Sequence, residues 1–238
     1  MNSEKNSKAK QRNHKHFRNF CYDFVKFTGV IPVLFWLRPK VYRPSKNKNP
    51  KGRVIYMANH VSFIDPITVH FAAPLRRMNM LATKDLFNIS GLARWFFTNT
   101  NCIEVDKDNF TISAFHDVVE RLEDERAVMI FPEGQVNANA ETILAFKSGA
   151  TLMAYKANAP IVPVYLIKKT KWYERVRLVV GEPLYVRELT GDMPTMTKLN
   201  AVSDELRNRE IALRDYFESL PIYQKLKKRN ERNKESEQ

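Results

Sequence analysis

Apolar positions along this chain fall into short continuous runs separated by longer stretches of helical spacing. The runs Val54–Ala58, Met78–Thr83, Asn101–Val105, Ala127–Phe131, Ile161–Ile167 and Val176–Val180 predict buried strands. Spacing of three and four predicts helices over Ile64–Phe71, Asp85–Phe97 (with Gly91 inside it), Phe110–Leu122, Phe146–Ala157 and Met196–Leu220. Pro221 is expected to stop the last of these. Strands alternating with helices imply an α/β fold, with a mostly parallel sheet covered by helices on both faces.

Ahead of that body, Phe17, Phe20, Cys21, Phe24, Val25, Phe27 and Ile31 share one side of a helical wheel, and Arg18, Asp23 and Lys26 share the other. The following run, Val30–Leu37, is apolar all round but too short to span a bilayer, which needs about 20 such residues. An aromatic-rich amphipathic helix flanked by basic residues suits the headgroup region of a membrane. The competing expectation is that the helix packs its apolar face onto the body.

Charge sharpens the division. Of the formal +13, residues 1–53 contribute fourteen Lys or Arg against two acids, Glu4 and Asp23. Residues 54–224 carry nineteen basic and twenty-one acidic residues, so the body is nearly neutral. The expected organisation is a basic membrane-associating arm over 1–50, a catalytic body over 51–224, and a polar basic tail over 225–238 that stays disordered. Residues 1–16 are polar and lack the apolar stretch of a cleavable signal. Basic ends attract nucleic acid or anionic lipid, and no nucleic-acid-binding module accompanies these. A membrane surface, met through residues 1–40 on the cytoplasmic face, is the expected partner, and nucleic acid is not. The two cysteines, Cys21 and Cys102, are far apart and suggest free thiols rather than a disulfide scaffold.

Candidate chemistry sits where predicted strands end. After Val54–Ala58 comes Asn59-His60-Val61-Ser62-Phe63-Ile64-Asp65, which places His60 five positions ahead of a carboxylate at a strand-to-helix junction. Open α/β sheets keep their ligand crevices at such carboxyl ends. Asp65 can hold one ring nitrogen of His60 and leave the other free as a base. A second junction, Phe131-Pro132-Glu133-Gly134, puts a carboxylate at the tip of a turn. Taken singly, His60 and Asp65 read first as a surface or cap pair, and Glu133 as a turn former. His14, His16, His70 and His116 have no metal-ligand spacing, and no glycine-rich nucleotide loop is present, so neither metal nor cofactor is expected.

In this order, the Asn-His-x-x-x-x-Asp block, Phe-Pro-Glu-Gly and Ile161-Val162-Pro163-Val164 resemble the glycerolipid acyltransferase family, over roughly residues 54–185. The resemblance implies transfer of a fatty acyl chain from a coenzyme A or acyl-carrier-protein thioester to the sn-2 hydroxyl of 1-acylglycerol 3-phosphate. It casts His60 as general base, Asp65 as its orienting acid, and Glu133 and Gly134 as part of the glycerol-phosphate site. Lys84 matches a Lys-x-Glu-Leu-Phe block with Asp85 in place of Glu, and Lys147 matches a basic position that follows Phe-Pro-Glu-Gly. Lys107, in Ile103-Glu104-Val105-Asp106-Lys107, stands where the family has arginine, and Gln135-Val136-Asn137 replaces Thr-Arg-Ser. A lysine binds phosphate as a point charge without arginine's bidentate fork. These departures leave open another lysophospholipid or a glycolipid as acceptor, and a lipid-binding relative without turnover is a further alternative. Oxyanion donors are expected from amides at the start of the following helix or from the turn at Gly134. Phe87, Leu92, Trp95 and Phe96 are expected in the core or along an acyl tunnel.

Overall fold

The computed structural model describes residues 17–29, 32, 35–46, 49–106, 111–137, 142–168 and 174–235. Among these, β1 (Lys40–Tyr42), β2 (Val54–Ala58), β3 (Met78–Thr83), β4 (Ile103–Val105), β5 (Ala127–Ile130), β6 (Ile161–Ile167) and β7 (Arg177–Val180) form one sheet. Its order is β1-β7-β6-β2-β5-β3-β4. Strands β6, β2, β5, β3 and β4 run parallel, whereas β7 is antiparallel to β6 and carries β1 parallel to itself at the edge.

All five residues of β2 are buried, because both faces of the sheet are covered around it. Ile55 and Met57 enter an apolar cluster with α5 (Ile112–Glu123), α6 (Gly149–Ala157) and α8 (Met196–Ser219). Val54, Tyr56 and Ala58 enter a second cluster with α2 (Asp65–Val69) and the 3-10 turn His70–Ala72. The expected mostly parallel sheet, flanked on both sides, is therefore what forms.

The amino-terminal helix, α1 (residues 17–29), docks in the opposite sense to an ordinary amphipathic helix. Its polar side faces the body. The Tyr22 hydroxyl donates to His70 Nε2 at 2.8 Å and accepts from the Met78 N–H at 2.9 Å. His70 gives its Nδ1 proton to the Pro66 carbonyl at 2.6 Å, and burial pushes its pKa down, which keeps the ring neutral for this role. Asp23 takes a hydrogen bond from Arg77 at 2.6 Å, and Lys26 donates to the Arg76 carbonyl at 2.8 Å. Cys21 and Tyr22 are buried, while Phe17, Phe20, Phe24 and Phe27 stay exposed, Phe27 by 77%. The expectation that the apolar stripe packs onto the body is overturned for these four phenylalanines.

Three further expectations need correction. The stretch Asp85–Phe97 is two helices, α3 (Lys84–Asn88) and α4 (Gly91–Asn99). Ser90 between them is extended and caps α4, accepting from the Ala93 N–H at 3.0 Å. The arm does not reach residue 50, because Lys40–Tyr42 pairs with β7 and belongs to the sheet. The tail is not disordered over its described part: α9 (Pro221–Glu235) is helical. Pro221 ends α8 but opens α9, since a first helical turn tolerates its fixed φ and missing N–H. Arg229 of α9 then pairs with Glu174, and Tyr223 and Leu226 pack on the core. A short α7 (Val186–Thr190) completes the described helices.

Leu122, on α5, is fully buried against the sheet. Replacing it by alanine is expected to cost about 2–5 kcal/mol of unfolding free energy. Urea titration measures this, and a loss below about 1 kcal/mol would show that the α5 face does not anchor the core.

Candidate active site

The carboxyl end of β2 runs directly into the loop that carries His60. Asn59 is buried, and its side chain pairs with Leu166 of β6 in both directions: Nδ2 donates to the carbonyl at 3.1 Å, and Oδ1 accepts from the N–H at 2.7 Å. Leu166 lies near the end of the neighbouring parallel strand, so the loop leaves the sheet at a fixed height.

Asp65, the first residue of α2, is also buried. One of its oxygens, Oδ2, accepts from the N–H of Val61 at 2.6 Å and of Ser62 at 2.6 Å. The same oxygen faces His60 Nδ1 at 2.9 Å. A carboxylate can only accept, so Nδ1 carries the proton and Nε2 presents a free lone pair. Nε2 has no hydrogen-bond partner among the described residues, and the side chain keeps 18% of its surface exposed. The ring lies flat on Phe131, with centroids 4.2 Å apart and planes 18° apart. Hydrogen bond and stacking together leave the imidazole one orientation.

The Phe-Pro-Glu-Gly turn closes the other side. Glu133 is buried, and its Oε1 accepts from the His60 N–H at 3.4 Å. Burial pushes its pKa up, opposed by amide hydrogen bonds from His60 and Leu144, by the Asn137 side chain and by the charge on His60. Asn137 returns the connection by donating its N–H to the His60 carbonyl at 2.6 Å. Gly134 has φ +71°, and a Cβ there would stand 2.8 Å from Lys147 Nζ. The Lys147 ammonium thus rests against Gly134, while its own N–H donates to the Pro132 carbonyl at 3.0 Å. The Gly134 N–H is committed to the Phe131 carbonyl at 3.2 Å, so the expected oxyanion donor at that turn is already taken.

Sequence reasoning missed Glu210. This α8 residue is fully buried, and its Oε1 accepts from the Asn59 N–H at 2.8 Å. Its Oε2 has no partner among the described residues. Burial raises its pKa well above the usual carboxylate value, against the pull of the Asn59 N–H, and the nearby charge of Glu133 adds to the rise. A signal was present: Leu206, Glu210, Leu213 and Phe217 lie on one buried stripe, so the acid occupies a core position of the helix. With it, four successive amides, from Asn59 to Ser62, are held by three carboxyl groups. The amides expected to serve an oxyanion at the start of α2 are therefore occupied as far as Ser62.

His60, Asp65, Glu133, Gly134 and Lys147 come together as one cluster. Lys84 stands apart, exposed at the start of α3 where β3 ends, two strands from β2 on the same edge of the sheet. Lys107 lies outside the described residues. No group of His, Cys, Asp or Glu among the described residues is arranged to hold a metal ion. Both cysteines are buried, and desolvation pushes the Cys102 thiol up to about 11, which disqualifies it as a nucleophile near neutral pH.

Fold and constellation define a class: an α/β enzyme with a paired histidine and aspartate at the carboxyl edge of its sheet. A family model described as Acyltransferase matches residues 39–167, more than half of the chain, and the protein belongs to that family. It is 28% identical over 202 residues to a 1-acyl-sn-glycerol-3-phosphate acyltransferase of Haemophilus influenzae, covering 79% of this chain and 80% of that one. A protein of the same description from Helicobacter pylori is 30% identical over 184 residues, covering 73% and 72% respectively. Among solved structures, the 1-acyl-sn-glycerophosphate acyltransferase PlsC of Thermotoga maritima superposes with a TM-score of 0.60. That match covers 89% of this chain and 84% of the other at 20% identity, and it supports the fold.

The buried Glu210 has a consequence for stability against pH. Its folded pKa lies above the ordinary 4.5, so ionisation opposes folding once pH rises past that value. Glu210→Gln removes the titration and keeps a carbonyl acceptor for Asn59. The variant's melting temperature is expected to gain on the parent's as pH rises from about 5 to about 8. A difference that stays constant over that range would show that Glu210 does not titrate abnormally.

Proposed function

We propose that this protein transfers a fatty acyl chain from an acyl-CoA or acyl-carrier-protein thioester to the sn-2 hydroxyl of 1-acylglycerol 3-phosphate, giving phosphatidic acid. The observation that carries the reading is the His60–Asp65 pair at 2.9 Å, with the remaining ring nitrogen unpartnered at the sheet edge. His60 Nε2 takes the hydroxyl proton as the oxygen attacks the thioester carbonyl. Asp65 stabilises the imidazolium that forms, without itself being protonated. When the tetrahedral intermediate collapses, the carbon–sulfur bond breaks and the imidazolium returns its proton to the departing thiolate. No acyl-enzyme is required, because the acceptor hydroxyl is itself the nucleophile.

The relatives' names support lysophosphatidic acid as the acceptor. Its phosphate would be drawn by Lys147 beside Gly134, near the buried Glu133, and by the exposed Lys84 on the same edge of the sheet; the resemblance assigns Lys107 the same task. A second acceptor class, another lysophospholipid or a glycolipid, is favoured by one observation. Val136, at the place where the resembled family carries arginine, has an aliphatic side chain and offers nothing to a phosphate. Asn137 beside it is buried and donates its side-chain amide to the Thr142 carbonyl at 2.6 Å.

Membrane attachment through α1 is part of the proposal. Helices that bury their polar side and expose phenylalanines are costly in water and suited to an interface. No helix among the described residues is long and apolar enough to cross a bilayer. On this reading α1 lies in the headgroup region of the cytoplasmic leaflet, so the lipid acceptor arrives from the membrane and the thioester from water.

His60→Ala is expected to lower kcat by about 10²- to 10⁴-fold while leaving vesicle binding unchanged. A radiolabelled acyl-thioester assay against a panel of lysolipids reads both reaction and acceptor. Activity near the parental level in the variant would remove His60 as the base, and no turnover with any lysolipid would favour a lipid-binding protein. Phe20→Gln with Phe24→Gln is expected to weaken sedimentation with anionic vesicles by at least about tenfold, given the apolar area withdrawn. Unchanged sedimentation would show that α1 does not face lipid.

A further inference from the structure

The crossover from β3 to the edge strand β4, made of α3 and α4, is built inside out. The most buried side chain of α4 is polar: Asn99, which donates to the Trp95 carbonyl at 2.8 Å. Leu92 is 75% exposed and Trp95 51%, with Phe96 beside them. Leu86 and Ile89 continue the strip, Ile89 at 70% exposure. What fixes the crossover lies on its other side, where Phe87 meets Phe97 with ring centroids 5.4 Å apart and joins Ala82 and Cys102 in a small cluster. The expectation that Leu92, Trp95 and Phe96 belong to the core is thus overturned, while Phe87 does belong to it.

We propose that the exposed strip on α3 and α4 is a second bilayer-contact surface, immersed beside α1 at the boundary of headgroups and acyl chains. The proposal rests on the membrane reading of α1 given above. Three observations favour lipid as the occupant. The strip and α1 flank the same strand: the Tyr22 hydroxyl of α1 accepts from the Met78 N–H at the start of β3, and α3 follows the other end of β3. Its chemistry is that of an interface, with aliphatic side chains and a tryptophan bordered by the cations Lys84 and Arg94. Its position is functional as well. α3 begins where β3 ends, on the edge that carries His60, so the strip leads from the bilayer to the catalytic edge. An acceptor could then present its sn-2 hydroxyl to His60 while its acyl chain stays in the membrane.

The full chain carries three tryptophans, so Trp36→Phe with Trp172→Phe leaves Trp95 as the sole reporter. On adding vesicles of mixed phosphatidylcholine and phosphatidylglycerol, its emission is expected to shift to the blue and to be quenched by lipids brominated near the headgroup. Leu92→Gln with Trp95→Gln, both on the exposed face, is expected to weaken vesicle partitioning by at least about tenfold in the parental background without altering the melting temperature. Trp95 emission that stays unchanged while the protein sediments with vesicles would overturn the proposal and leave the α1 reading standing. Emission that shifts although the Phe20 and Phe24 variant binds normally would support the strip and remove α1 instead. A blue shift that grows with protein concentration in the absence of lipid would replace the bilayer with a second copy of the chain.

Discussion

One oxygen atom organises the site. Asp65 Oδ2 accepts from two successive amides and from the imidazole, so the same contact that shapes the loop also sets the tautomer of the histidine. Hydrogen bonds to a charged acceptor are worth about 1.5–3 kcal/mol each, more than most neutral ones. A loop pinned this way cannot relax without also losing the orientation of His60. Chemistry and local structure therefore share a cause, and the carboxylate has to be buried for either to work.

The neighbouring carboxyl groups extend that logic in two directions. Glu133 grips the His60 amide from the Phe-Pro-Glu-Gly turn, and Glu210 grips the Asn59 amide from α8. The loop that carries His60 is thus referenced to three separate elements of the fold rather than to its own strand alone. Buried acids are costly, and Glu210 has no cationic partner among the described residues, so it is best tolerated as the neutral acid. The committed amides also leave Lys147, lying against Gly134, as a positive group at the turn.

The sequence made the sheet and the dyad legible because both rest on local pattern. Val54–Ala58 and Met78–Thr83 coincide with β2 and β3, since strands buried on both faces read as unbroken apolar runs. His60 and Asp65 meet because a strand-to-helix junction of five residues brings them within one turn. What could not be read was long-range. Glu210 is 151 residues from Asn59, and only its place on an apolar helical stripe hints at burial. The break at Ser90 was hidden because one capping hydroxyl outweighs an otherwise continuous helical spacing. The stretch from Lys225 reads as disordered polar chain, because the support of the helix there comes from Glu174 and from the core beyond α8. The outward set of α1 was undecidable from its wheel, which is the same whichever face is turned to the body.

The hydroxyl of Tyr22 has a consequence beyond anchoring. It supplies the partner for the Met78 amide at the start of β3 and for the ring of His70, both otherwise stranded in the interior. The helix that leaves its phenylalanines exposed is thereby a structural member of the sheet's foundation. If α1 meets lipid as proposed, the bilayer acts as a ligand of the native state, and mass action then ties conformational stability to the supply of membrane. On that proposal, a chain detached from lipid would be the less durable form.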